Sequence, residues 1–204
     1  MHIYIKEFLT QRLILFLLFV IITSGIGTFL TFGSKWTLAA LFSGIVLFII
    51  LEYTVHRYLM HEFPKLVPYI YNGHAAHHES PDNIKYLIGP VTFEIATYPV
   101  ILLIAWLLTD YDWHLALATV FGTSVYQIYY QWKHYMSHRP IKPLTLWGRW
   151  VKKKHLLHHH MDENAWYGVS TPVFDILFGT NQSKSPNSNK GNSVSKINHR
   201  PPLT

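Results

Sequence analysis

Residues 36–61 read WTLAALFSGIVLFIILEYTVHRYLMH, and this stretch joins the two features that decide the fold. From Trp36 to Leu51 it carries no charged side chain, which is the composition of a helix that lies in lipid. Its last six residues begin with His56 and end with His61. The stretch therefore predicts a membrane-spanning helix that projects beyond the bilayer and carries candidate metal ligands there.

Three more charge-poor apolar runs predict further membrane-spanning helices. A helix needs about 20 apolar residues to cross a bilayer. We expect an all-α integral membrane protein with about four transmembrane helices, near residues 12–33, 36–55, 88–109 and 113–133. The first run is too long for a cleaved signal peptide and lacks a small-residue cleavage site. The fourth span, like the second, leads directly into a histidine, His134.

Ten of the fourteen histidines fall into four tight clusters. The clusters are His56 and His61; His74, His77 and His78; His134 and His138; and His155, His158 and His159. Neutral imidazole is a common ligand of iron, zinc and copper because it offers a lone pair without adding charge. Ten imidazoles are too many for one ion and suit two ions with about five ligands each. We assign no ligand role to the remaining four, His2, His114, His160 and His199.

The spacing within the clusters fits helices. Residues i, i+3 and i+4 share one helix face, so His74, His77 and His78 can form one ligating patch. Adjacent residues point about 100° apart, which predicts that His77 and His78 bind different ions. His56 and His61 are five apart and diverge on a regular helix, so either they reach two metals or the helix ends between them.

The outer ring nitrogens need partners as well, because a ligating histidine usually donates its other N–H to a carboxylate or a carbonyl. Candidate carboxylates are Glu52, one turn before His56, together with Asp82 and either Asp162 or Glu163. We expect Asp175 to anchor the last ordered segment instead.

Charge places the clusters relative to the membrane. Lysine and arginine are concentrated before span one, between spans two and three, and after span four, whereas the other two connectors carry only Lys35. The positive-inside rule then predicts cytoplasmic termini and a cytoplasmic metal site. The net charge of +6 lies beside apolar spans and accompanies no nucleic-acid motif, so we expect no nucleic-acid partner. The absence of cysteine excludes disulfides, cysteine-ligated iron–sulfur clusters and haem thiolates.

The residues around the clusters resemble the fatty acid hydroxylase/sterol desaturase superfamily, and most of all its fatty acid 2-hydroxylase branch. The resemblance rests on HRYLMH (56–61), GHAAHH (73–78), KHYMSH (133–138), HLLHH (155–159) and YGVSTPVFDILFGT (167–180). It implies a four-helix membrane domain over residues 1–180, capped by a cytosolic helical dimetal domain. The polar composition of residues 181–204 predicts a disordered tail.

The resemblance also implies a function: non-haem di-iron hydroxylation of a lipid acyl chain, in a fatty acid, a sphingolipid or another acyl lipid. The implied cofactors are two iron ions, for which zinc can substitute, with O2 as co-substrate. Only about a dozen residues precede the first span, so we expect a separate electron donor, a b-type cytochrome or a ferredoxin with its reductase. The expected location is the bacterial cytoplasmic membrane, or the endoplasmic reticulum in a eukaryote.

Other functions share parts of this pattern. A sterol-type desaturase would use the same site, and a carotenoid hydroxylase has similar clusters, although the YGVS…FGT ending favours the acyl and sterol family. A zinc-dependent membrane hydrolase normally uses about three protein ligands per ion, which fits ten histidines poorly. A metal transporter would place its ligands inside the spans, near the bilayer midplane.

Overall fold

A computed structural model describes residues 2–183, and this part of the chain is helical and contains no β-strand. The all-α fold predicted from the sequence is therefore confirmed. The helices are α1 (His2–Leu9), α2 (Arg12–Leu30), α3 (Thr37–Thr54), α4 (Pro68–Glu79), α5 (Ile84–Leu87), α6 (Val91–Leu108), α7 (Trp113–Ser137), α8 (Leu146–His160) and α9 (Val173–Leu177), with a π-helix (Val55–Glu62) directly after α3. The predicted disordered tail lies outside the described residues from position 184 onward.

Three stretches are long and apolar enough to cross a membrane: Arg12–Leu30, Thr37–Glu62 and Ile84–Leu108. They contain α2, α3 and α6 and correspond to the first three predicted spans. At most 28% of the most apolar window in each stretch is buried inside the protein. Large apolar side chains such as Phe19 and Phe42 are instead more than half exposed, as expected for helices that are solvated by lipid.

The fourth predicted span is α7, which lies at the centre of the helix bundle. It has 25 residues but is less apolar than the other three, and it packs against α2, α3, α6 and α8. Polar side chains such as Thr123, Gln127 and Gln131 are buried along it. Because protein surrounds α7 on several sides, Thr123 and Gln127 find hydrogen-bond partners that lipid cannot offer.

Two glycines let α3 and α7 cross at close range. A Cβ atom on Gly44 would lie 2.0 Å from the carbonyl oxygen of Thr119, and one on Gly122 would lie 2.0 Å from that of Leu41. The Thr123 hydroxyl donates to the carbonyl of Gly44 across the same contact, at 3.1 Å. Small residues commonly permit such approaches between membrane helices. The crossing fixes the distance between the helix that leads to the first histidine cluster and the helix that carries the third.

Polar segments beyond the bundle form a cap that is tied to the end of α7. Lys152 of α8 donates to three backbone carbonyls there, at 2.7–3.0 Å: those of Met136, Arg139 and Ile141. Arg139 also forms an ion pair with Glu7 of α1 at 2.8 Å, and this contact lowers the pKa of the Glu7 carboxyl. The N-terminal helix, which the sequence pattern did not predict, is therefore attached to the same end of the bundle as the cap.

The α3–α7 crossing generates a stability prediction. Gly44→Ala and Gly122→Ala should each destabilise the protein, by about 1–3 kcal/mol or more, because the added methyl group meets backbone rather than a movable side chain. Gly33→Ala is the matched control, since a Cβ there would have no neighbour closer than 3.9 Å. The measurement is the midpoint of thermal unfolding in detergent. Equal midpoints for all three variants would contradict the close crossing.

Candidate metal centre

The structure brings the ten predicted ligands together in two groups of five. In each group, one ring nitrogen from every histidine lies within 4.8 Å of the corresponding atom of the others. Group A comprises His56, His61, His74, His78 and His158. Group B comprises His77, His134, His138, His155 and His159.

The distances within the groups are those of a metal-ligand set. Four pairs of Nε2 atoms lie 2.8–3.0 Å apart: His61 with His74, His74 with His78, His77 with His134, and His138 with His155. Two nitrogens that bind one ion at about 2.1 Å and at right angles are about 3.0 Å apart. The side chains present therefore fit a pair of metal ions.

Helices α4 and α8 each contribute to both groups. His77 and His78 belong to different groups, as do His158 and His159, which is the division that the helical spacing predicts. The rings of His78 and His159 stack across the boundary with centroids 4.1 Å apart. The two groups are thus neighbouring halves of one centre.

The π-helix explains how His56 and His61 come to lie in the same group. The sequence left open whether His56 and His61 reach two metals or the helix ends between them, and neither alternative is correct. Both belong to group A, with ring centroids 5.2 Å apart. A π-helix forms i→i+5 hydrogen bonds, so residues five apart share a face that they would not share on an α-helix. The local change of helix type is what brings this pair together.

Burial keeps the imidazoles uncharged. His77, His155 and His158 are at most 1% exposed. Burial, together with the nearby His138 and His78, lowers the pKa of His77 to about 2. Burial first, and then neighbouring histidines, hold the pKa of His155 and of His158 well below the ordinary value. The rings are therefore neutral near pH 7, and their lone pairs are available to a cation.

Two histidines of group A are oriented by backbone carbonyls. His56 Nδ1 donates to the carbonyl of Tyr167 at 2.6 Å, and His158 Nδ1 donates to that of Ala165 at 2.8 Å. Within residues 2–183, the buried Nε2 atoms of both rings have no hydrogen-bond partner, so they are left for a metal. Both carbonyls belong to residues 165–170, which we call the closing segment.

The expected carboxylates act differently from the prediction. Neither Glu52 nor any of the other three candidates is hydrogen-bonded to a histidine in the described part of the chain. Glu52 instead accepts the backbone N–H groups of Val169 and Ser170, each at 2.7 Å, and the Ser170 hydroxyl. Sequence reasoning missed the orienting carbonyls because every residue carries one, so no side chain marks them.

Asp175 holds the other part of the closing segment, as the sequence predicts for an anchor. Its carboxylate accepts the backbone N–H groups of Tyr167 at 2.9 Å and of Gly168 at 2.8 Å. Burial raises the pKa of Asp175, and its hydrogen bonds with Thr180, Gly168 and Tyr167 oppose that shift. Two carboxylates thus fasten a short loop against group A.

Among the described residues, the three histidines without a predicted ligand role belong to neither group. His114 is buried at the opposite end of α7, where its ring nitrogens lie 3.1 Å from the Thr31 hydroxyl and 2.7 Å from the Thr37 hydroxyl. His2 and His160 are exposed, and neither belongs to a group. His199 lies outside the described residues.

Comparison with known proteins gives concordant matches. Residues 40–180 match the sequence model of the fatty acid hydroxylase family. A dihydroceramide fatty acyl 2-hydroxylase of Arabidopsis thaliana is 30% identical over 142 residues, covering 67% of this chain and 58% of the relative. A ceramide very long chain fatty acid hydroxylase of Schizosaccharomyces pombe is 28% identical over 67% of this chain and 40% of its own length. The Homo sapiens fatty acid 2-hydroxylase is 26% identical, over 78% of this chain and 45% of its own length.

The fold has a counterpart among solved structures. The structure of full-length scs7p, in which only the hydroxylase domain is visible, superposes with a TM-score of 0.71 at 22% identity, covering 85% of this chain and 66% of that one. At this identity the likeness is one of fold. The chain spans about half the length of the curated relatives it matches.

The geometry predicts which histidines hold metal. His158→Ala removes a buried group A donor and should lower bound metal from two ions per chain to one or fewer. His160→Ala is the matched control on the same helix and should retain two ions, because His160 is exposed and belongs to neither group. The measurement is elemental analysis of purified protein at equal monodispersity. Full metal content in His158→Ala, or loss in His160→Ala, would contradict the assignment.

Proposed function

The chain belongs to the fatty acid hydroxylase family, and from that premise we propose that it is a di-iron membrane enzyme that hydroxylates the acyl chain of a lipid with O2. The observation that carries the proposal is the convergence of ten imidazoles into two groups of five. We assign the activity to residues 1–180 and the ligand roles to groups A and B.

The donor set favours oxygen chemistry over hydrolysis. When bound, two iron ions would supply the reduction of O2 and the oxidant that an unactivated C–H bond requires, which side chains cannot provide. A zinc hydrolase uses about three protein ligands per ion, with an open position and a carboxylate base. Each group here offers five imidazoles, and no carboxylate in the described chain is hydrogen-bonded to them. Zinc can substitute for iron at the same ligands.

The protein's own residues place the centre near the bilayer and surround its approach with apolar side chains. The apolar α3 leads directly into the π-helix that carries His56, so the centre lies at the end of the membrane-spanning stretch Thr37–Glu62. Phe48 packs on Tyr130, whose ring in turn stacks on His134 of group B, with centroids 5.5 and 6.1 Å apart. These aromatic side chains give an acyl chain from the bilayer an apolar approach to the centre and exclude water from it.

The names of the relatives suggest the substrate. The relatives act, by name, on dihydroceramide fatty acyl groups, on ceramide very long chain fatty acids, and on fatty acids at carbon 2. We therefore propose a fatty acid or the acyl chain of a sphingolipid-like lipid as the substrate, with hydroxylation at carbon 2.

The overall balance of the reaction requires a reductant. Inserting one oxygen atom of O2 into C–H and reducing the other to water consumes two electrons and two protons. We propose that an electron-donor protein, a b-type cytochrome or a ferredoxin with its reductase, supplies these electrons to the metal centre. The basic residues beside the cap favour the cytoplasmic side, in either a bacterial cytoplasmic membrane or the endoplasmic reticulum.

Lipid profiling tests the function directly. A host that expresses the chain should accumulate an acyl lipid heavier by one oxygen atom than in the empty host, and fragmentation should place the hydroxyl at carbon 2. His77→Ala at equal expression is the control and should give no product, because it removes a group B donor. A product lacking two hydrogens would identify a desaturase, and an oxidised carotenoid would identify the other related activity. Either result would overturn the proposal.

A further inference from the structure

The two groups differ in how their outer ring nitrogens are held. In group A, His56 and His158 donate from Nδ1 to carbonyls of the closing segment. In group B, the Nε2 atoms of His77 and His155 lie within 3.0 Å of the next ligand, while their Nδ1 atoms are buried and have no hydrogen-bond partner within residues 2–183. A neutral imidazole that binds through Nε2 keeps its hydrogen on Nδ1, so an acceptor there fixes both tautomer and ring orientation.

One side chain on α3, Glu52, holds the closing segment that orients the rings of group A. Glu52 lies four residues before His56 and is 7% exposed. It accepts both backbone N–H groups at the end of the closing segment, Val169 and Ser170, and also the Ser170 hydroxyl, which is 3.1 Å from the Tyr126 hydroxyl. Within residues 2–183, Glu52 forms no hydrogen bond with a histidine. It holds the loop whose carbonyls orient His56 and His158.

The closing segment is attached to the rest of the protein at two places. Glu52 and His56 stand on one continuous helical stretch, so the closing segment is fastened to the same element that carries one of the ligands it orients. Asp175 fastens the middle of the segment at Tyr167 and Gly168. Nothing equivalent supports the outer nitrogens of His77 and His155 in the described chain.

We propose that Glu52 is a positioning residue for group A, acting through the closing segment, and that group A consequently holds its metal ion more firmly than group B. The proposal rests on the proposed function only in taking the two groups as metal sites. Loss of an outer partner commonly lowers metal affinity about 10–100-fold, which sets the expected difference between the two positions.

Chelator kinetics on the iron-loaded full chain test the difference. Removal of iron from the wild-type protein should be biphasic, with one ion per chain leaving about 10–100 times faster than the other. Glu52→Ala should convert the slow phase to a fast one or reduce the bound iron to one ion per chain. Ser170→Ala, which removes the hydroxyl that contacts Glu52 and Tyr126 but keeps the backbone N–H bond to Glu52, should give an intermediate rate.

Two further variants separate positioning from a general structural role. Glu52→Gln keeps an oxygen that can accept the Val169 and Ser170 N–H groups, and it should restore the slow phase. Glu94→Ala removes another carboxylate from a membrane helix, one that accepts from Gln127 at 2.6 Å, and it should leave both phases unchanged.

The outcomes distinguish this inference from the proposed function. A wild-type protein that binds two ions but releases them in a single phase overturns the inference and leaves the function standing. The same holds if Glu52→Ala, or Ser170→Ala where the former does not fold, retains wild-type kinetics. A folded wild-type protein that binds no iron overturns the proposed function instead.

Discussion

Ten uncharged imidazole rings crowded into one helical cap impose the constraint on which the rest of the structure depends. Seven of the rings approach another ring nitrogen to 2.8–3.0 Å, and a proton on any ring would place a charge among desolvated neighbours. The rings come from four separate segments of the chain. The bundle must therefore deliver α3, α4, α7 and α8 to one place with little freedom, which the glycine crossing and the Lys152 contacts accomplish.

Regular α-helices bring only some of the histidines together, and two departures from regular helix geometry position the others. Ideal α-helices place His74 near His78 and His155 near His159, because these pairs are four residues apart. They cannot place His56 beside His61, and the π-helix does so by widening the turn. The closing segment is irregular as well, and its irregularity frees two carbonyls to face the rings. Non-helical backbone is tolerated here because Glu52 and Asp175 satisfy its N–H groups.

Much of the fold could be predicted from the sequence because it depends on periodic signals. Apolar runs locate the membrane helices, and i, i+3, i+4 spacing both gathers the histidines and separates His77 from His78. The remaining features depend on long-range contacts that carry no local pattern. The role of Glu52 is an example: the sequence marks it as a carboxylate one turn from His56, but its partners are backbone groups more than a hundred residues away. The central position of α7 is another, since its polar residues only make sense once its protein neighbours are known.

Because α3 and α7 meet through their backbones, the residues that position the histidines are different from the residues that face the lipid. The path from Gly44 and Gly122 to the histidines runs through the interior of the bundle, whereas the outward side chains of α2, α3 and α6 contact only what surrounds the protein. The lipid-facing surface can therefore drift in sequence to suit bilayers of different thickness or fluidity while the ligand geometry stays fixed.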